Sequence, residues 1–566
     1  MKIFCMDIRT LVPAMRELGH EVLAVVPEQG GLFNLPKFLR DNDFKPELIV
    51  QGENLGPRRQ IEGLEEFGCP RIFWAVDSHL NLYWHKYYAR LFDAVLTPHL
   101  SMWNALPAAE RHPLVRQMAR QGVPLPWVPH ADRPYGLAFV GVQDRHRPLR
   151  TWLCELVGER WPLEVRQNIS FAEMLELYQQ ARIVPNEAIA FEVNYRMMEA
   201  ASAGAVVVTP DVGADQNGLF EPGWEICVYG NACELMEKLE ELLAEPKQAE
   251  SLAYAAWERI QKDHLPVNRV NQIVGLAENI RRGREPEESD GTSRRFYFES
   301  SLWLARVEGM RGGVSGFSGP GAGNTPAPKV VPPGGGQAGE TLNLSVRMLL
   351  ETGRGQNLLP VIKEVYDLEL YPENTGLLAA SSFGAWELGN SELACKFLER
   401  AASGLRVSFS ARPASGGEFC LFWAEVLIKK GLKTRSGFLF DPKLHLPTVA
   451  SEALVFAEGR FPGDFCEARL LELMNEALRG DNAYAYFLLG YLARASLHTP
   501  SRWDIQLEYG LQNLFCYRLR QGLFEIREAQ GKAKDAGELD GFMRRLDLGD
   551  ISSAIVRALD MEYIND

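Results

Sequence analysis

Short, apolar, β-rich runs alternate with amphipathic helical stretches along the first half of this chain. That alternation limits the fold more than any other feature, because it is the grammar of parallel sheets crossed over by helices. The runs are EVLAVVPE, PELIVQG, RIFWAVD and AVLTPH, then LAFVGV, ARIVPN, AVVVTPD and EICVYG. The turn-rich RPYG at Arg133 to Gly136 leads into the fresh buried strand LAFVG, so two sheets are expected, meeting at 135/136.

The alternation stops at Arg311 to Glu340, RGGVSGFSGPGAGNTPAPKVVPPGGGQAGE. Half of it is glycine and proline, and such a stretch cannot bury enough apolar surface to offset its ordering entropy, which predicts a flexible linker. Beyond it, apolar residues recur at helical spacing for about two hundred residues. WELGNSELACKFLERAA, Trp386 to Ala402, puts Gly389, Ala394, Leu398 and Ala401 where a tetratricopeptide repeat places small and apolar residues, and AYFLLGYLARA, Ala485 to Ala495, echoes it. Small residues in any packed helix pair mimic this pattern, so repeat stacking and ordinary helix packing both stand. The expected organisation is a Rossmann-like domain over 1–135, a second over 136–282, a helix and linker over 283–340, and an all-α, repeat-like domain over 341–566.

At 566 residues the chain exceeds one hydrophobic core, and its 46% apolar content can fill several. The formal charge of -14, from 74 acidic and 60 basic residues, argues against nucleic acid as a partner. Nine cysteines without a CxxC pair, odd in number, argue against a disulfide framework or a zinc site. The start, MKIFCMDIRTLVPAMRELGHEV, has no uninterrupted apolar core with a small-residue cleavage site, and no apolar run reaches membrane-spanning length. A cytoplasmic chain with no integral membrane segment is expected.

Chemistry concentrates in Ala181 to Tyr229, which reads as strand, loop, helix, strand and loop. Asn194 stands where a helix N-cap belongs, and Arg196 and Glu199 then share one helical face. Free amides at a helix start and a guanidinium fork both match phosphate oxygens, while a carboxylate one turn deeper can accept hydrogen bonds from ribose hydroxyls. The plain alternative is a surface Arg/Glu pair.

The pattern N-x-R-x-x-E-x-x-x-x-G-A, followed by an apolar strand, T-x-D and F-x-x-G-x-E-x-x-x-Y, is met by Asn194, Arg196, Glu199, Gly204, Ala205, Thr209, Asp211, Phe220, Gly223, Glu225 and Tyr229. It resembles the donor-binding core of group 1 glycosyltransferases, in the branch similar to the spore-maturation protein CgeB. FVG at Phe139 to Gly141, Arg145, Arg147, Asn186, His264 and Arg269 extend the likeness, which covers about 1–282 and is strongest from Phe139 onward. The resemblance implies the GT-B fold, a nucleotide-diphosphate sugar as co-substrate, no other cofactor and no site metal. It also implies binding by Gly141, Arg145, Arg147, Asn186, Asn194, Arg196, Glu199 and Asp211. Two departures stand out. Glu192 and Glu199 are separated by six residues where retaining members have seven, so only Glu199 carries over, and no glycine-rich turn follows the first strand.

For an acceptor base, the end of RIFWAVD delivers Asp77, Ser78 and His79. Asp77 ranks first and His79 second, ahead of His99 and His130, although an aspartate after a strand also serves as a plain N-cap. Two other functions fit the same sequence: a nucleotide-sugar epimerase, and a degenerate transferase fold used as a scaffold. The helical half, 341–566, is expected to recruit a protein acceptor or partner, the plain alternative being that its helices only dimerise the chain or cap an apolar face.

Overall fold

The computed structural model describes residues 1–283, 362–363, 366 and 375–560, apart from 29, 54–58, 107–110, 145–146, 189–191, 406–412, 436–439, 444, 480–483 and 547–549. The expected linker and Arg145 lie outside the described residues. The chain divides into two units, Met1–Gln117 with Val270–Leu478, and Met118–Arg269 with Arg479–Asp566.

The first unit holds β1 (Lys2–Met6), β2 (Glu21–Val25), β3 (Gly31–Asn34), β4 (Leu48–Gly52), β5 (Arg59–Glu62), β6 (Arg71–Trp74), β7 (Ala94–Thr97) and β8 (Val115–Gln117). Six of these form one sheet, β2-β1-β4-β6-β7-β8, and β3 pairs with β5; every pairing is parallel. The central strands LIVQG, RIFW and AVLT are buried at every position, as a sheet covered on both faces demands, whereas edge strand β2 is half exposed. After β1 the chain turns at Asp7, whose φ of 60° is left-handed. Aspartate is among the few side chains that tolerate this conformation, so it stands in for the missing glycine-rich turn.

The second unit holds β9 (Tyr135–Val140), β10 (Leu163–Arg166), β11 (Ala181–Pro185), β12 (Val206–Pro210) and β13 (Cys227–Tyr229), all parallel in the order β10-β9-β11-β12-β13. Crossover helices start where local chemistry dictates. Pro148 opens Pro148–Gly158, Ser170 and Glu173 close a capping box on Phe171–Gln179, and Asn231 caps Ala232–Ala244. Strand alternation then builds two cores. Leu137, Phe139, Val206 and Val208 face one side, while Val184, Ala205 and Val207 face the other with Met197, Ala201 and Phe220.

The second compact unit begins at Met118, and buried Arg133 donates to the carbonyls of Val128, Tyr178, Ala181 and Ala203 and ties the segment before β9 to this sheet. The described helices beyond residue 362 are shared between the two compact units. Helices Thr375–Glu387 through Glu467–Leu478 group with the first unit, whereas Leu507, Leu514, Leu523, Ile526, Phe542 and Ile555 join the core built on Leu137, Phe139 and Val208. A helical period announces that one face is buried without naming what covers it.

Candidate functional site

In an open parallel sheet, ligands bind beyond the carboxyl ends of the strands where strand order reverses. In the second unit that place lies between β9 and β11. Asn186, buried just after β11, organises it. Its Oδ1 accepts from Arg196 Nη1 at 2.7 Å and Asn194 Nδ2 at 3.0 Å, its Nδ2 donates to Thr209 Oγ1 at 3.0 Å, and its carbonyl accepts from Tyr229 OH at 2.7 Å. Arg196 Nη2 donates to Val140 O at 3.1 Å, so this guanidinium links the ends of the two strands, lying 4.4 Å from the Phe139 ring centroid. Beside it, Arg150 Nε pairs with Glu187 Oε2 at 3.2 Å, and Arg150 Nη1 donates to Val142 O. Gly141 leaves room for both cations: a Cβ there would sit 3.1 Å from Arg150 Nη1 and from Arg196 Nη2.

Helix Tyr195–Ser202 starts at this crest. Asn194 occupies the N-cap position but turns its side chain away, its amide donating to Asn186 Oδ1 and Glu187 O. Among the described residues no side chain caps the helix, so none of them occupies its first amides, as an anion site requires. Both terminal nitrogens of Arg196 serve protein oxygens, while its Nε–H is buried without a hydrogen-bond partner among the described residues. Glu199, half-buried, accepts no hydrogen bond from a described residue. Burial pushes its carboxyl up to about 7 against the pull of Arg196 and Arg120. Arg147 stands before Pro148–Gly158 with its charge close to Arg150. Exposed Asp211, after β12, turns Oδ1 back on Gly213 N at 2.9 Å.

The first unit reverses strand order between β1 and β4. Its crest collects acids and imidazoles. Arg59 Nη1 meets Asp7 Oδ1 at 2.5 Å with both side chains buried, and burial pushes the Asp7 carboxyl up to about 6 despite that partner. Gly52 permits the close turn, since a Cβ there would meet Asp7 O at 2.9 Å. Glu53, following β4, accepts from Asp77 N at 2.7 Å and Asn81 Nδ2 at 2.5 Å, with His85 Nε2 3.3 Å away. Burial alone would raise the Glu53 carboxyl, but the charge and hydrogen bond of His85, the Asp77 amide and the charge of His79 outweigh it and hold it low.

Asp77 takes the N-cap position of Ser78–Tyr88 without capping it. His79 lies in the first turn, 5.1 Å edge-on to His99, its Nδ1 buried without a hydrogen-bond partner among the described residues. Burial holds the His79 imidazole below its ordinary value, against the opposing charges of Asp77 and Glu53. Asp77, His79 and His99 therefore share one crest. His130 does not: it stacks on Trp127 in the second unit, faces Gly204 O at 3.1 Å, and burial lowers it to about 4. Sequence reasoning missed Asp7, Glu53, Arg59, Arg150 and Glu187. Asp7 and Glu53 follow the strands MKIFCM and LIVQG just as Asp77 follows RIFWAV, so the same rule reaches them.

Among the described residues, no group of three or more His, Cys, Asp or Glu is placed to hold a metal ion, and no helix is long and apolar enough to cross a membrane. No curated protein matches the chain. Among solved structures, it is similar to HepE of Anabaena in complex with UDP-glucose, at 11% identity and a TM-score of 0.35, over 49% of this chain and 100% of that one. It is also similar to a glycosyltransferase from Rickettsia africae (10%, TM-score 0.37, 50% and 99%) and to sucrose-phosphate synthase from Thermosynechococcus elongatus (12%, TM-score 0.36, 50% and 98%). Residues 143–275 match the family described as glycosyl transferase-like, so the segment that carries Arg150, Asn186, Arg196 and Glu199 is glycosyltransferase-like in sequence.

Proposed function

We propose that this chain is a glycosyltransferase of the GT-B type that takes a sugar from a nucleoside-diphosphate sugar. The observation that carries the proposal is the uncapped helix start at Tyr195, which sits on the crest of the sheet inside the glycosyltransferase-like segment. Open amides and the helix dipole meet the diphosphate, while Arg196, Arg150 and Arg147 add positive charge that stabilises it as it leaves. Arg196 acts by its charge and by fixing Asn186, and its Nε–H is not engaged by a described residue. Glu199 takes the ribose hydroxyls, and no site cation is needed. In the first crest, Asp77 and His79 are the groups offered for the acceptor's proton; an imidazole held below its ordinary value is unprotonated, and so free to accept a proton, at neutral pH. The CgeB-like branch fits the motif. Repeat-like stacking in the helices, with a protein as acceptor or partner, fits exposed Tyr486, Phe487 and Leu497.

The test is a panel of UDP, GDP, dTDP and CMP sugars. One class should raise the melting midpoint, as a ligand selective for the folded state does. Its nucleotide should be released at a rate that EDTA leaves unchanged. No stabilisation by any member, or turnover lost with EDTA and restored by magnesium, overturns the corresponding part. One observation favours a non-catalytic scaffold instead, namely that Arg196 is engaged within the protein. Stabilisation without any turnover is its signature.

A further inference from the structure

The turn between helices Trp503–Phe515 and Leu519–Asp535 ends the first helix with a paired bond pattern: Tyr517 N donates to Leu514 O at 3.3 Å and Arg518 N to Asn513 O at 2.9 Å. The residue at the centre of such a turn takes the left-handed backbone, which glycine adopts without a Cβ clash. In this chain the same pair of bonds surrounds Gly19, Gly204, Gly389, Gly431 and Gly537. Here the residue is Tyr517, at φ 64°. A bulky aromatic side chain in that conformation stores strain that surrounding structure must hold.

The tyrosine's hydroxyl finds a partner that glycine or phenylalanine would not supply. Buried Tyr517 places its OH 2.9 Å from Tyr229 OH, whose own proton goes to Asn186 O at 2.7 Å, so Tyr517 is the donor in the pair. Asn186 then holds Arg196 Nη1 and Asn194 Nδ2. Hydrogen bonds to the backbone carbonyl of Asn186, and from there its own covalent frame to Oδ1, thus connect a turn in the C-terminal helices, 288 residues from Tyr229 in sequence, to the crest of the second sheet. We propose that Tyr517 is a positioning residue: through Tyr229 its hydroxyl sets Asn186 and with it Arg196 and the helix start, so that the C-terminal helices complete the nucleoside-diphosphate site. This rests on the crest being the donor site.

Full-length Tyr517→Phe keeps the ring and removes the hydroxyl. Hydrogen exchange over residues 186–203 and the affinities for UDP and GDP are measured in the parent, in Tyr517→Phe, and in Leu523→Ala, which disturbs the same helices through their core. Exchange over 186–203 should quicken about tenfold in Tyr517→Phe while the remainder of the unit holds, and the dissociation constant of the bound nucleotide should rise about five- to tenfold, the scale of one hydrogen bond. Leu523→Ala should quicken exchange across the helices without singling out that segment. Unchanged exchange over 186–203 in Tyr517→Phe overturns the proposal. So does a local response that leaves nucleotide affinity untouched. A local response in a chain that binds neither nucleotide supports the hydrogen-bond relay and removes the donor reading instead.

Discussion

The two sheets of this protein share a topology and differ in what stands at their carboxyl ends. Each is open, parallel and reversed in order beside its first strand, so each offers a crevice at the equivalent place. At the second sheet the crevice is framed by Arg196, by Arg150 paired with Glu187, by amide side chains, by Glu199 and by the helix start at Tyr195. At the first it is framed by Asp7, Glu53, Asp77, His79 and His85, with Arg59 locked to Asp7. Cations and amides hold anions; carboxylates and imidazoles hold or move protons. The backbone supplies the place, and the residue after each strand supplies the chemistry.

The sharpest way to break this contrast is at the first crest. If its groups take the acceptor's proton, His79→Gln or Asp77→Asn should lower kcat by about 10²- to 10⁴-fold, the range of general base catalysis, with the donor KM nearly unchanged. The variant with the larger loss identifies the base. Normal kcat in both variants would leave the first crest a structural cluster.

Glu199 of the second crest and His79 of the first differ in the sign of their response to pH, while Asp7 of the first crest, raised to about 6, shares the sign of Glu199. Glu199 has a folded value of about 7 against an ordinary 4.5, so its folded state binds the proton more tightly. That contribution is full below 4.5 and lost as pH rises through 7. His79 is lowered, so its contribution is present above its ordinary 6.5 and lost as pH falls below it. Glu199→Gln should therefore stabilise the protein at pH 8 by up to about 3 kcal/mol and flatten the decline between 4.5 and 7, while the acid limb persists. Thermal melts of both proteins across pH check this. Equal slopes would mean that Glu199 is not desolvated.

The second crest was more legible in the sequence than the first because its residues are close in sequence. Asn194, Arg196 and Glu199 fall within two helical turns, and that spacing reads as one face. The partners that give them their roles do not announce themselves: Arg150 meets Glu187 at a separation of 37 residues, and Tyr517 meets Tyr229 at 288. No local period encodes such pairings. Asn194 was legible as a helix boundary but not in its function, since its side chain serves Asn186 rather than the helix. At the first crest Asp77 was found and Glu53 was not, although Glu53 accepts the amide of Asp77. The helical half carried its period openly, yet a period could not reveal that Leu507, Leu514 and Leu523 complete the core of the second sheet.

The central claim is that a nucleoside diphosphate lies at the start of Tyr195–Ser202 with its ribose on Glu199. Titration calorimetry of UDP and GDP against the parent chain and Glu199→Ala tests it most directly. The account predicts binding by the parent and a loss of about 1–3 kcal/mol in the variant, with the variant's fold intact by circular dichroism. Equal affinity in a folded Glu199→Ala protein would contradict it.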